Sequence, residues 1–214
     1  MTLRYRVVVI GAGGHAKSVL DVIHEHGGWD IVGLTDSDPT SRLVGGCVVL
    51  GTDDVLAKSR REGATHVIVA IGHNQDRRRL AARARQEGFT VATVISPAAH
   101  VSNSARLGNG IVVMPGAVIG AEVVIDDLVI VNTGASIDHD CMIGEAAHVA
   151  PGAVLAGNVR VGACTTIGVG ASVIPGIEIG ENVTIGAGAA VVHDLPNDVI
   201  AVGVPARIRR DSEK

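Results

Sequence analysis

The sequence predicts a chain of two parts: an α/β domain with a small parallel, Rossmann-like sheet over residues 1–95, and a parallel β-helix built from hexapeptide repeats over residues 96–214. Three observations carry that reading. Every sixth residue from Val101 to Val191 is Val, Leu or Ile, and four residues after each comes a second small or apolar position, with mostly Gly, Asn, Asp or Pro between. A period of six suits neither an α-helix nor a flat sheet, whereas short strands that turn a corner at regular intervals stack such residues in columns. Ahead of this ladder, strand-like and helix-like patterns alternate, as they do in a parallel α/β sheet. The aromatic residues are only Tyr5, Trp29 and Phe89, against 28 glycines, which suits a narrow solenoid core with little room for rings.

The elements of the first part follow in order. Tyr5 to Ile10 is a compact apolar strand that ends in Gly11-Ala12-Gly13-Gly14-His15-Ala16, and the apolar residues from Lys17 to Ile23 recur at helical spacing. A strand over Asp30 to Leu34 leads into Thr35-Asp36-Ser37-Asp38-Pro39; a short apolar run covers Cys47 to Leu50, and Thr52-Asp53-Asp54 opens a helix-like stretch. A buried strand over Thr65 to Ile71, a helix over Asn74 to Gln86 and a strand over Phe89 to Ile95 complete it.

The glycine turn fits G-x-G-x-x-A, with Asp36 at the distance where a dinucleotide fold keeps its ribose-binding acid. Glycines let the backbone approach a pyrophosphate, and free N–H groups at the helix start carry partial positive charge towards it. A nucleotide-type ligand is expected, with Gly13, Gly14 and His15 at the mouth of the turn. A second edge, Gly72-His73-Asn74 with Arg77 one helical turn beyond, lies at the carboxyl end of an inner strand, where ligands of open α/β sheets gather. Asn74 fits either a helix cap or a ligand contact. The run Arg77-Arg78-Arg79 reads as a solvated helix face, with a phosphate clamp as the alternative.

A prism of stacked strands has no deep cleft of its own, so chemistry on the second part is sought at its off-register histidines. His139, in Ile137-Asp138-His139-Asp140-Cys141, and His148 both fall outside the interior positions. An imidazole with pKa near 6.5 can be neutral at working pH and accept a proton, and a neighbouring carboxylate would fix its tautomer. Asp140 and Asp138 are the candidates. Neighbours in an extended strand point to opposite faces, so a His139–Asp140 pair requires the chain to turn there. Cys141 falls on an interior register and is read as packing.

A formal net charge of −4 with scattered lysines and arginines offers no broad basic surface for nucleic acid. No apolar stretch approaches the roughly twenty residues that cross a bilayer, and no signal-peptide pattern is present. A cytoplasmic protein without membrane insertion is expected. Cys47, Cys141 and Cys164 are odd in number and lack ligand spacing, and His100, His139, His148 and His193 lack it too, so no disulfide framework and no metal are expected.

Taken together, Gly11-Ala12-Gly13-Gly14-His15, Ala70-Ile71-Gly72-His73-Asn74 with Arg77, Val131-Asn132-Thr133, Ile137 to Gly144, His148 and the closing Val202-Gly203-Val204-Pro205-Ala206 resemble one family along the whole chain. The chain is similar to the bacterial nucleotide-sugar N-acetyltransferases of the left-handed β-helix superfamily, which act on UDP- or GDP-linked 4-amino dideoxy sugars such as bacillosamine precursors and perosamine; sialic acid O-acetyltransferases are close relatives. The resemblance implies left-handed coils, a homotrimer, and acetyl-CoA in the groove between neighbouring solenoids. It also implies that the first domain holds a nucleotide-linked amino sugar rather than NAD, through Gly13, Gly14, His15 and Asp36, with Gly72, Asn74 and Arg77 as the second edge. His139 then matches the general base and Asp140 its partner. His148 matches a contact to the thioester end of acetyl-CoA, and Gly157, Val169 and Ala187 line the CoA groove. The implied activity is N-acetylation of the 4-amino group in surface polysaccharide, such as lipopolysaccharide, or glycan synthesis, with sugar O-acetylation as the alternative.

Overall fold

The computed structural model describes residues 5–39 and 43–209. The chain divides into two compact units, Met1–Pro97 and Ala98–Lys214.

In the first unit, β1 (Tyr5–Ile10), β2 (Trp29–Thr35), β3 (Leu43–Val44), β4 (Cys47–Gly51), β5 (His66–Val69) and β6 (Thr90–Val91) form one sheet in the order β3-β4-β2-β1-β5-β6. The helices are α1 (Gly14–His26), α2 (Leu56–Arg61) and α3 (Asn74–Gln86). β1 is central because it is buried throughout its second half: Val7, Val8 and Val9 are inaccessible to solvent. Each such side chain contributes about 1.5–3 kcal/mol by leaving water. α1 turns Ala16, Val19, Leu20 and Ile23 inward, the three- and four-residue spacing of one helical face.

The chain leaves β1 for β2 on one side and later returns for β5 on the other. That reversal puts the glycine turn, Thr35-Asp36 and Ala70 to Gly72 together at the carboxyl ends of three strands, the crevice position of open α/β sheets. Gly11 is required there on two counts. Its φ is +106°, and a Cβ would lie 2.7 Å from Ile71 Cδ1 and 2.9 Å from the Ala70 carbonyl oxygen.

Four local expectations change. The sheet is not wholly parallel, because Leu43 pairs antiparallel with Val48 around the Gly45-Gly46 turn. Thr52 opens a single 3₁₀ turn, Asp53–Val55, before α2 begins. The strand over Thr65 to Ile71 contracts to His66–Val69. The apolar stretch from Phe89 splits into two two-residue strands, Thr90–Val91 and Val94–Ile95, with the Ala92 N–H making the last bond to β5, at the Val67 carbonyl.

The second unit is a left-handed parallel β-helix of two-residue strands. From His100 to Val191 stacked strands pair eighteen residues apart, Ser136 with Val154 and Val154 with Ser172, so three hexads make one coil. At the end Thr184 pairs with Ile200, and an antiparallel pair closes the stack. The ladder residues from Val113 to Val191 are buried, while Val101 and Leu107 of the end coil are partly exposed. Cys141 is fully buried, as expected of an interior position. Thr165 is a polar exception whose Oγ1 donates to the Gly180 carbonyl at 2.7 Å and accepts from the Val183 N–H at 3.0 Å, so its burial leaves no hydroxyl unsatisfied.

Between strands the chain turns in two residues, the second in a left-handed conformation: φ is +60° at Asp140, +59° at Asn158 and +55° at Asn182. Asn and Asp tolerate this region because their short polar side chains bond locally. Stacked coils therefore form three corner columns and three flat faces.

Candidate active site

His139 and Asp140 occupy one such corner, and the left-handed backbone at Asp140 decides their geometry. Instead of pointing to opposite faces, the two side chains meet, with His139 Nδ1 2.7 Å from Asp140 Oδ2. An ionised carboxylate can only accept, so Nδ1 carries the proton and Nε2 is left with the lone pair. The hydrogen bond to Asp140, and next the charge of Asp138, hold the imidazole pKa above its ordinary value. Asp138 also accepts from the His139 backbone N–H at 2.8 Å, and the His139 carbonyl accepts from Asn158 N–H at 2.8 Å, which ties the corner to the next coil. About three-fifths of each side chain of the pair is exposed, so the imidazole is open at the surface of the corner. Gly157 stacks directly on His139, one coil later.

His148 lies on the strand His148–Val149, half-buried, with Nε2 3.0 Å from Asn132 Nδ2. Asn132 Oδ1 accepts the Thr133 N–H at 2.8 Å, which fixes the amide so that Nδ2 donates to His148. The neutral ring therefore holds its proton on Nδ1. Val169 and Ala187 stack at the corner that follows this face, linked by the Gly188 N–H to Val169 carbonyl bond at 2.8 Å, and both are exposed. Along one chain the face of Ser136, Val154 and Ser172 separates that corner from the one holding His139 and Gly157. The structure brings together His139, Asp140 and Gly157 as one group, and Val169 and Ala187 as another.

On the first unit, a cavity of about 290 Å³ opens at the carboxyl ends of β1 and β2, lined by Gly11 to Gly13, Asp36, Ser37, Asp53, Asp76 and Arg79 among others. Asp36 shapes it, accepting from Ala12 N–H at 3.1 Å and from Asp38 N–H at 3.0 Å. Cβ atoms at Gly13 or Gly14 would meet nothing within 4 Å, so this edge is open, and the first N–H groups of α1 have no intrahelical acceptor. His15 sits one residue into α1 with Nε2 buried and without a hydrogen-bond partner among the described residues. Burial first, and the Arg77 charge second, push its pKa down to about 4, so it is neutral at working pH.

The second edge is built differently from the sequence expectation. Arg77 is not part of a solvated face, for its side chain is fully buried while Arg78 and Arg79 are exposed. Its guanidinium donates to the Ile71 and Gly72 carbonyls, each at 3.0 Å, and to Asn74 Oδ1 at 2.9 Å. The loop wraps the cation because two carbonyls and an amide together replace water around it. The α3 cap is His73, which accepts from the Asp76 N–H, and Asn74 is the first helical residue, turned inward to Arg77. Gly72 and Asn74 therefore belong to a loop end that Arg77 ties down.

Residues 6–84 match the family model described as the PglD N-terminal domain. Among solved structures, the chain is similar to a variant of perosamine N-acetyltransferase from Caulobacter crescentus, in complex with CoA and GDP-perosamine, at 47% identity and TM-score 0.94, covering 96% of this chain and 97% of that one. The chain belongs to the nucleotide amino-sugar N-acetyltransferases. The acetyltransferase is also similar to the acetyltransferase domain of PglB from Neisseria gonorrhoeae FA1090, in complex with acetyl coenzyme A, at 40% identity and TM-score 0.91, covering 96% of this chain and all of that one. WeeI from Acinetobacter baumannii AYE matches at 25% identity and TM-score 0.84 over 96% of this chain and 100% of its own. No curated protein matches the chain. The enzyme is acetyl-CoA-dependent, and no helix among its described residues is long and apolar enough to cross a membrane.

Sequence reasoning did not single out three polar groups at these sites. Asn132 was visible only as part of a motif; its position off the interior register, as for His139, is the signal that it faces outward. Asp53 and Asp76 open helical segments, and in sequence an acid in a first turn reads as support for the helix rather than as cavity lining. Both line the cavity at the glycine turn, with Thr35 Oγ1 donating to Asp53 at 2.6 Å.

Proposed function

We propose that this acetyltransferase transfers acetyl from acetyl-CoA to the 4-amino group of a nucleotide-linked dideoxy sugar, GDP-linked as in the perosamine relative or UDP-linked, with His139 as general base. The observation that carries the reading is the 2.7 Å His139–Asp140 contact, which leaves Nε2 as a lone-pair acceptor on an exposed corner. The amino sugar arrives mostly as ammonium and must lose a proton before attack. Nε2 takes that proton directly or through water and passes it to solvent; the nitrogen forms its bond to the thioester carbonyl carbon and gives up a second proton, and the C–S bond breaks with that proton ending on the CoA sulfur, so that CoA leaves as the free thiol. Asp140 stabilises the imidazolium that forms, and such base assistance is typically worth about a hundred- to ten-thousand-fold. No side chain needs to carry the acetyl group.

The cavity at the glycine turn supports nucleotide binding on the first unit. The N–H groups at the start of α1 favour phosphate oxygens, and Asp36, Asp53 and Asp76 offer acceptors to ribose hydroxyls and base edges. His15, held neutral, contributes a hydrogen-bonding group rather than a charge. Gly13, Gly14, His15 and Asp36 are the proposed direct contacts; Gly72, Asn74 and Arg77 shape the opposite edge. His148, Gly157, Val169 and Ala187 are the proposed acetyl-CoA contacts. Gly157 falls at one corner and Val169 and Ala187 at another, separated by a flat face of one chain, while His148 lies on the next flat face, so a groove that uses all of them is completed by a second copy. That supports an assembly of copies, which we take to be a homotrimer acting in the cytoplasm in surface polysaccharide synthesis, as the family resemblance implies.

The test is release of free thiol from acetyl-CoA with a panel of GDP- and UDP-4-amino sugars and their 4-hydroxy counterparts. Turnover with an amine and its loss by at least about a hundredfold in His139→Ala, with acetyl-CoA affinity retained, is the expected result. Turnover with hydroxyl acceptors alone, or an unchanged rate in the variant, overturns the reading.

A further inference from the structure

Gly157 holds a position that its backbone leaves open to other residues. Unlike Gly134, Gly152 and Gly176, whose φ lies between +64° and +76°, it is not in the left-handed region. The same corner position is Ala121 and His139 in earlier coils and Pro175 in the next, so the turn itself accepts side chains. What is missing at Gly157 is space. A Cβ there would stand 2.5 Å from His139 Cε1, 2.6 Å from Nε2 and 3.1 Å from Nδ1.

Other close glycines of the solenoid face a different kind of neighbour. A Cβ at Gly144 or Gly162 would strike backbone atoms of the next coil, Ala163 N at 2.7 Å and Gly180 C at 2.5 Å, so those glycines serve the winding of the helix. At Gly157 the obstacle is the imidazole, which can swing outward because its side chain is 59% exposed. The fold can accept a methyl group here. The ring cannot stay where it is.

We propose that Gly157 is a positioning residue for His139: its bare Cα is the floor on which the imidazole lies, and that floor keeps Nδ1 against Asp140 while setting the direction in which Nε2 points. The inference rests on His139 being the base. Its cause is steric and local. Asp138 and Asp140 are the charged groups that bear on the ring, and the coil stacked against it presents Gly157 and Asn158. A ring pushed away from Gly157 leaves the 2.7 Å contact, and with it the main reason its pKa stands above the ordinary value. Misplacement of a reacting group by about 1 Å costs on the order of a hundredfold in rate.

The experiment is Gly157→Ala in the full chain, alone and combined with His139→Ala. NMR titration of the ligand-free protein should show the His139 pKa falling towards the ordinary imidazole value in G157A, with thermal stability kept. With sugar nucleotide and saturating acetyl-CoA, kcat should fall by about a hundredfold, far more than any rise in KM for acetyl-CoA from a methyl at this proposed CoA contact. In the His139→Ala background the added methyl should change kcat by less than about twofold, since there is no ring to displace. An unaltered His139 titration in G157A, or an equal further loss of kcat in the double variant, overturns the proposal; the second result would mean that the methyl acts on acetyl-CoA. Should G157A fail to fold, the double variant should fold, and its failure would refute the steric cause. Full activity in His139→Ala alone would instead remove the base assignment, while the NMR result would still report whether Gly157 positions the ring.

Discussion

Acidification should destabilise the first unit through His15, and the size of the effect can be worked from its surroundings. The folded pKa is about 4 against 6.5 for an unperturbed imidazole, because a buried ring beside the Arg77 charge resists protonation. The folded value is depressed, so between these limits the unfolded chain binds the proton first, and stability is lost as pH falls from 6.5 towards 4. At 1.36 kcal/mol per pKa unit the whole loss is about 3 kcal/mol, and between pH 7 and pH 5 linkage gives about 2 kcal/mol. Trp29 is the one tryptophan of the chain and lies on β2, so its fluorescence reports this unit selectively. Urea unfolding followed at Trp29, at fixed protein concentration, should show wild type losing about 2 kcal/mol more than His15→Gln between pH 7 and pH 5. The comparison cancels the groups common to both proteins. Equal pH dependence in the two would refute the assignment of a neutral, desolvated His15.

Two further outcomes follow from the same geometry. Arg77→Met keeps the volume but leaves the Ile71 and Gly72 carbonyls and Asn74 Oδ1 without their donor; a loss of at least about 2 kcal/mol is expected, together with a higher KM for the sugar nucleotide, and an unchanged melting temperature would show that the loop does not depend on the buried cation. For Asp140→Asn, the proposed base His139 must be neutral to act, and its raised pKa places the acidic limb of the pH–rate profile above the ordinary imidazole value in the wild type. The variant should move that limb to lower pH and reduce the plateau by about tenfold or more; a limb that stays in place would dissociate Asp140 from the titration.

The sequence by itself determined the repeat. Columns of Val, Leu and Ile at a spacing of six have one way to be buried together, and the structure buries them in coils of three hexads. It likewise determined the glycine turn, because Gly11 must combine a positive φ with close approach to Ala70 and Ile71. Three facts needed tertiary structure. Whether His139 meets Asp140 depends on the sign of one φ at a corner, which a strand-by-strand reading leaves open. Whether Arg77 is solvated or enclosed depends on where a loop six residues earlier in the chain folds back, so a basic run that looks like surface supplies a buried clamp. That Gly157 touches an imidazole eighteen residues before it follows from the pitch of the coil, since stacking makes distant positions neighbours while composition records only what each residue is.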